Sequence, residues 1–246
     1  STLGSYPMTQ MLFYENPKPL SPALHTGLSI KQDRARFKFA ERVNSVLCAG
    51  VEFAEMAFEY PIVFVEGSDG WVPIVLFGLD ATENQWVDNS GAWRGQYIPA
   101  FIRQYPFAIG RGESEAPLVC IDEGSDLISK GEGYALFEDG QPTPFVKQTA
   151  DFLKEFHQQM ERTKVFAQSL NQLGLLSEVK ATTGQAGSSA MSLGKARVVD
   201  ERQLLALADA DALSIFRKGE LAWVYAHLLS LGHLKRMIAA RQSRSS

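Results

Sequence analysis

A chain of 246 residues that is 45% hydrophobic and 21% charged carries ample material for a packed core, which excludes disorder except at the ends. Its net charge of −4 argues against a nucleic acid as main partner, because phosphate binding needs a basic face. Cys48 and Cys120 sit in separate apolar runs without CxxC spacing, so they read as buried thiols of a reducing compartment, not as a disulfide framework or a metal site.

The N-terminal STLGSYPM has neither a basic region nor a long apolar stretch and is not a secretory signal; residues before Met8 read as an expression remnant. Proline-rich ENPKPLSPALH makes residues 1–36 an N-terminal arm, extended over 9–36 and lying on the domain. A first strand is expected over Phe39–Leu47, then a short helix over 52–60 that Tyr60–Pro61 ends, since a residue before proline is pushed out of the α region. PIVFV and WVPIVLFGL flank the turn GSDG, which predicts a hairpin over 61–79. NQWVD reads as a third strand closed by NSGA.

A helix follows from about Gln96 to Gln104, where Pro99 is tolerable in the first turn and Tyr97, Ile98, Phe101, Ile102 and Tyr105 form an apolar stripe. Tyr105–Pro106 ends it, and PFAIG and APLVCID are strands. A change of texture comes after EDGQPTP. Thr143 suits an N-cap with Pro144 at the first helical position, and Phe145, Phe152, Phe156, Met160, Phe166, Leu170 and Leu173 follow on one face up to Gly174. Residues 177–199 read as a hairpin with a Gly/Ser tip. Helices over 201–208, 210–216 and 219–239 complete the chain, with Leu221, Val224, Leu228, Leu231 and Leu234 inward and Lys235 and Arg236 solvated. LAWVYAHLLSLGHL is too short for a membrane span.

The fold class is therefore α+β: an antiparallel sheet of five or six strands with short helices, followed by a long helix, a hairpin and C-terminal helices. Its expected division is a sheet-rich subregion, 37–143, a helix-rich subregion packed on it, 144–240, and a tail, 241–246.

These pieces resemble the SapC family, named from a component implicated in transport of bacterial surface-array (S-layer) protein. The resemblance rests on FAERVNSV (39–46), YPIVFVEGSDGWVPIVLFGL (60–79), GAWRGQYIPAFIRQYPF (91–107), CIDE (120–123), EDGQPTPF (138–145), and VDERQL followed by GELAWVYAHLLSLGHL. It covers the chain from about Tyr14 to Met237, and the Gly/Ser tip at 184–189 departs from it. Such a resemblance implies a bacterial, cytoplasmic protein linked to cell-surface or envelope transport, with no agreed catalytic residues. It also implies an association with halogenase-like and JmjC/cupin-type oxygenase-like proteins and with outer-membrane receptors.

The residue chemistry favours binding over catalysis. His25, His157, His227 and His233 lack metal-ligand spacing, no HxD or HxE motif accompanies them, and the glycines lack phosphate-loop spacing. No cofactor is implied. Asp122 and Glu123 end a strand, where paired acids serve acid–base chemistry or form a solvated strand end. A DNA-reading helix is excluded at 220–238, because that segment is apolar.

The segment 84–107 is the most suggestive. Trp86 and Trp93 bracket a turn beside Arg94, and tryptophan and arginine dominate recognition surfaces. The alternative there is a cation–π contact that fastens the turn. Both rings are expected on one side, with Trp93 and Arg94 exposed and Trp71 or Trp86 sharing their concavity. Tyr97 and Arg103 complete the candidate surface, Arg103 facing solvent or a carboxylate such as Asp122. These features point to a non-catalytic accessory protein that recognises a protein or peptide partner. The other class open is an enzyme acting on a peptide or amino acid with an oxygenase- or halogenase-like partner.

Overall fold

A computed structural model describes residues 13–111, 117–179 and 195–244. They gather into two compact units that interleave along the chain. One takes the chain up to Glu41, Trp86–Arg94 and Ala100–Gln158; the other takes Arg42–Gln85, Gly95–Pro99 and the chain from Gln159 onward. Elements are numbered below in chain order.

In the first unit the N-terminal arm is built into sheets, not laid over them. Strand β1 (Pro17–Pro19) pairs antiparallel with β7 (Pro117–Asp122), which pairs on its other side with β6 (Phe107–Arg111). Likewise β2 (Ser29–Ile30) lies between β8 (Ile128–Ser129) and β9 (Tyr134–Ala135). The two are separated by the one-turn helix α1 (Pro22–His25). A small ribbon, β10 (Phe137–Glu138) with β11 (Gln141–Pro142), precedes the long helix. Proline at both ends of β1 suits an edge strand, where a missing N–H breaks no ladder. Tyr14, Ile30, Tyr105, Phe107, Ile121 and Leu153 form the core, so the arm contributes interior side chains as well as strands.

Helix α4 (Pro144–Gln172) has the boundaries its sequence signals predict. The N–H of Val146 donates to Thr143 Oγ1 at 3.4 Å, and Gly174 takes φ +69° just past the end. Leu153, Phe156, Met160, Phe166 and Leu170 are buried along it, while Phe145 and Phe152 are half-buried.

The second unit holds a five-stranded sheet in the order β12-β13-β4-β5-β3, with β3 at Ser45–Leu47, β4 at Ile62–Gly67, β5 at Gly70–Leu76, β12 at Leu176–Glu178 and β13 at Arg197–Val199. The β4–β5 hairpin turns between Gly67 and Gly70, and Gly70 (φ +108°) supplies the left-handed conformation that the tight turn requires. The Gly/Ser tip expected at 184–189 lies outside the described residues. Helices α5 (Glu201–Leu205), α6 (Asp209–Arg217) and α7 (Glu220–Arg244) follow. In α7, Val224 and Leu234 are buried, Leu221, Leu228 and Leu231 are half-buried, and Lys235 and Arg236 are exposed.

His227 of α7 enters the sheet. Only Arg197 and Phe64 pair between β13 and β4, and continuing that register would bring Val199 opposite Ile62. There the imidazole stands in for the ladder. Its Nε2 accepts from the Val199 N–H at 3.0 Å, and its Nδ1 lies 2.9 Å from the Ile62 carbonyl, which fixes the proton on Nδ1. Ser230 Oγ accepts from the Ile62 N–H at 3.0 Å. Burial pulls the His227 pKa down to about 4, so the ring is neutral.

Three local expectations are corrected. The strand over Phe39–Leu47 is a 3₁₀ turn, Lys38–Ala40, followed by β3. The helix over 52–60 is a 3₁₀ turn, Gly50–Glu52, running into α2 (Phe53–Met56). The helix from Gln96 shrinks to α3 (Ala100–Arg103). The Glu59 carboxylate takes the N–H groups of Gln96 and Tyr97 at 2.9 Å each, but the residue before a proline is pushed out of the α region, so Ile98 cannot begin the helix. Pro99, lacking an N–H, then delays the start of the helix.

Candidate functional site

The turn between Trp86 and Arg94 lies in the first unit and is made by one carboxylate. Asp88 Oδ1 accepts from the Ser90 N–H at 2.8 Å, the Ser90 hydroxyl at 2.6 Å and the Ala92 N–H at 3.0 Å. The Ser90 hydroxyl is the largest influence holding the Asp88 carboxyl below its usual range; Ala92 and the charge of Arg94 act in the same direction. Gly91 must be glycine. Its φ is +85°, and a Cβ there would meet the Ala35 carbonyl oxygen at 2.7 Å. The Gly91 carbonyl in turn accepts from the Phe37 N–H at 3.1 Å, tying the turn to the arm.

Instead of the third strand expected over NQWVD, a single antiparallel bridge forms between Val87 and Trp93. It is flanked by Arg94 N–H donating to Trp86 O at 2.8 Å and Asp88 N–H donating to Ala92 O at 2.9 Å. Side chains alternate across a pleat, so Trp86 and Arg94 share one face and Val87 and Trp93 the other. The expectation that both tryptophans project together is thereby corrected. Trp93, half-buried, meets the edge of Phe37 at 5.9 Å. Trp86 is half-buried beside exposed Arg94.

Behind Phe37 stands a residue the sequence reading passed over. The Arg36 guanidinium lies 5.7 Å from the Phe37 ring centre. Its Nη1 donates to Gln32 and its Nη2 to the Tyr105 carbonyl at 3.4 Å. Burial lowers its pKa, and Asp33 opposes the shift.

Asp122 and Glu123 are not a solvated pair. Asp122 is fully buried and accepts from Glu15 N–H at 3.0 Å, Asn16 N–H at 2.7 Å, Gly124 N–H at 3.2 Å and the Tyr105 hydroxyl at 3.1 Å. Exposed Glu123 accepts from Asn16 Nδ2 at 3.2 Å and stands 3.4 Å from His25 Nε2. Both acids hold the arm. Burial raises the pKa of the Tyr105 phenol, and of Tyr14, whose hydroxyl donates to the Phe107 carbonyl at 2.7 Å. Arg103 is exposed, with its guanidinium 5.0 Å from the Phe152 ring centre.

The two remaining candidates belong to the second unit. Trp71, half-buried, faces Glu66 in the β4–β5 register. The Tyr97 hydroxyl donates to buried Glu52 at 2.9 Å, and its carbonyl accepts from the Tyr60 hydroxyl at 2.5 Å. Among the described residues no group of three His, Cys, Asp or Glu is placed to hold a metal ion, and no helix is long and apolar enough to cross a membrane.

A sequence model of the SapC family matches residues 20–237, most of the chain. The protein belongs to the SapC family. No curated protein and no solved structure matches it. Within this SapC-family chain the matched span contains the Asp88 turn, both flanking tryptophans, Arg94 and Asp122, but not Glu15 and Asn16, which Asp122 holds. Of the residues missed, Asp88 had a signal, since DNSG is a side-chain-capped turn sequence. Arg36 had none, because its partners lie far along the chain.

Proposed function

We propose that this SapC-family protein is a non-catalytic accessory protein of bacterial surface-protein export or envelope transport. It recognises a protein or peptide partner through the face that carries Trp86 and Arg94. The observation behind this reading is the cross-strand pairing of a half-buried indole with an exposed guanidinium, on a turn immobilised from behind by Asp88 and by Phe37. A rigid turn spares the entropy of ordering a loop on binding. Arginine offers a planar pair of donors to a carboxylate, and the indole beside it offers apolar area. An acidic segment with an apolar neighbour satisfies both.

Co-purification with the tagged full-length chain from its native host tests this. Arg94→Ala should reduce partner capture about tenfold or more, as loss of an interface hot spot does, while leaving the melting temperature in place. Unchanged capture with a lowered melting temperature would make Arg94 a fastener of the turn and overturn the reading.

A further inference from the structure

A second tryptophan–arginine pair, absent from the candidate surface, lies in the second unit. Trp223 of α7 packs its ring directly on the backbone of Gly50, where a Cβ would come within 2.3 Å of it, and meets the edge of Phe166 at 5.2 Å. The Arg162 guanidinium lies 4.5 Å from the same ring centre, and its Nη2 donates to the Lys218 carbonyl at the end of α6 at 3.2 Å. Gly50 is tied to the same stretch of α4, its N–H donating to Thr163 Oγ1 at 2.8 Å. Three elements thus converge on one indole.

Each of the three also carries an exposed apolar side chain within one turn, in sequence, of the residue it brings to the indole. Val165, one turn along α4 from Arg162, is 69% exposed; Phe216, two residues before Lys218, is 65% exposed; Val51, beside Gly50, is 48% exposed. Helix α6 buries a single residue, Ile215, and leaves the rest of its length exposed. Clustered exposure of this kind marks an interaction surface, whereas scattered exposed apolar residues do not.

The charges around it choose the occupant. Arg162, Arg217 and Lys218 are all exposed, and none is in an ion pair among the described residues. Glu55, one turn past Val51, is exposed, but the acids beside Arg162 and Lys218 are out of play. Glu161 is held by Lys164 at 2.9 Å, Glu220 is buried, and Asp209 and Asp211 stand at the opposite end of α6. From these features we infer that the Trp223–Arg162 patch docks an acidic segment of a partner protein that anchors a large apolar side chain beside Phe216 and Val165. Stacking on the indole fixes the plane of Arg162, so its free donors are pre-oriented for a carboxylate. This surface stands independently of the Trp86–Arg94 face.

The test places a photo-cross-linking phenylalanine analogue, p-benzoylphenylalanine, at position 216 of the full-length chain in its native cells, and sequences the cross-linked peptides. One segment richer in Asp and Glu than in Lys and Arg, and holding Leu, Phe or Trp, is expected. Val165→Asp, at a position with little packing to lose, should cut the yield of that adduct at least tenfold, and Val165→Lys should preserve it. Adducts on a second copy of this chain, on a basic or uncharged segment, or equal loss with both Val165 variants would overturn the inference; so would the absence of any adduct.

Discussion

Asp88 and Asp122 do the same chemistry in opposite surroundings. Each gathers three backbone or hydroxyl donors or more on one carboxylate, Asp88 at the surface turn and Asp122 in the interior. Water can replace Asp88, because its donors lie where solvent reaches. At Asp122 the carboxylate and the Tyr105 hydroxyl bonded to it are buried, while its three backbone donors lie nearer the surface, so its loss strands that hydroxyl in the interior. The number of hydrogen bonds is therefore a poor guide to what an aspartate contributes, and the surroundings decide.

Asp122→Ala should show the largest effect. Stranding the buried Tyr105 hydroxyl at about 1–3 kcal/mol, with three part-buried backbone bonds lost beside it, predicts a loss of a few kcal/mol by denaturant titration. Amide exchange at Glu15 and Asn16 should speed up in the same variant. If Asp122→Ala costs no more than Asp88→Ala, the contrast between interior and surface collapses.

His227 extends the comparison to a buried group that titrates. Its folded pKa, about 4, lies below the ordinary histidine value of 6.5. The unfolded chain therefore binds more protons between the two values, and the stability His227 provides is fully present above about pH 6.5 and is lost as pH falls toward 4. The span corresponds to roughly 3 kcal/mol. A protonated Nε2 would point a proton at the Val199 N–H. In His227→Phe the slope of stability against pH over this window should flatten; an unchanged slope would assign it to other groups.

Smaller effects belong to the turn. Gly91→Ala must force φ +85° on a residue with a Cβ, a cost of about 1–2 kcal/mol before the approach to Ala35 is counted. Its melting temperature should fall, and the Phe37 N–H should lose exchange protection. Asp88→Ala should lower the melting temperature less than that, and Asp88→Asn, which keeps the acceptor, least of all.

What the sequence made legible was local. The β4–β5 hairpin, the boundaries of α4, strands β6 and β7, and the three C-terminal helices each follow from periodicity and punctuation within a few residues of themselves. Failures came wherever a distant group outbid a neighbour. Glu59 holds the Gln96 and Tyr97 N–H groups from 37 and 38 positions away, in a segment that precedes the helix instead of opening it. Asp122, which reads as a solvated acid, collects an arm more than a hundred positions away. At the candidate surface the residue types were legible, but their facing was not. Only the Val87–Trp93 register separates the two tryptophans, and an isolated bridge leaves no trace in hydrophobic pattern.

The pairing of β1 with β7 also sets a schedule for the nascent chain. Glu15 waits for a partner 107 positions downstream, and at bacterial-to-eukaryotic elongation rates of about 5–20 residues per second that is roughly 5–20 seconds of synthesis. Throughout that interval the arm, with Tyr14 and Ile30 destined for the core, leaves the ribosome with no strand to join and no interior to enter. The first unit is thus closed by residues made well before their partners: the arm is translated ahead of the strand that places it.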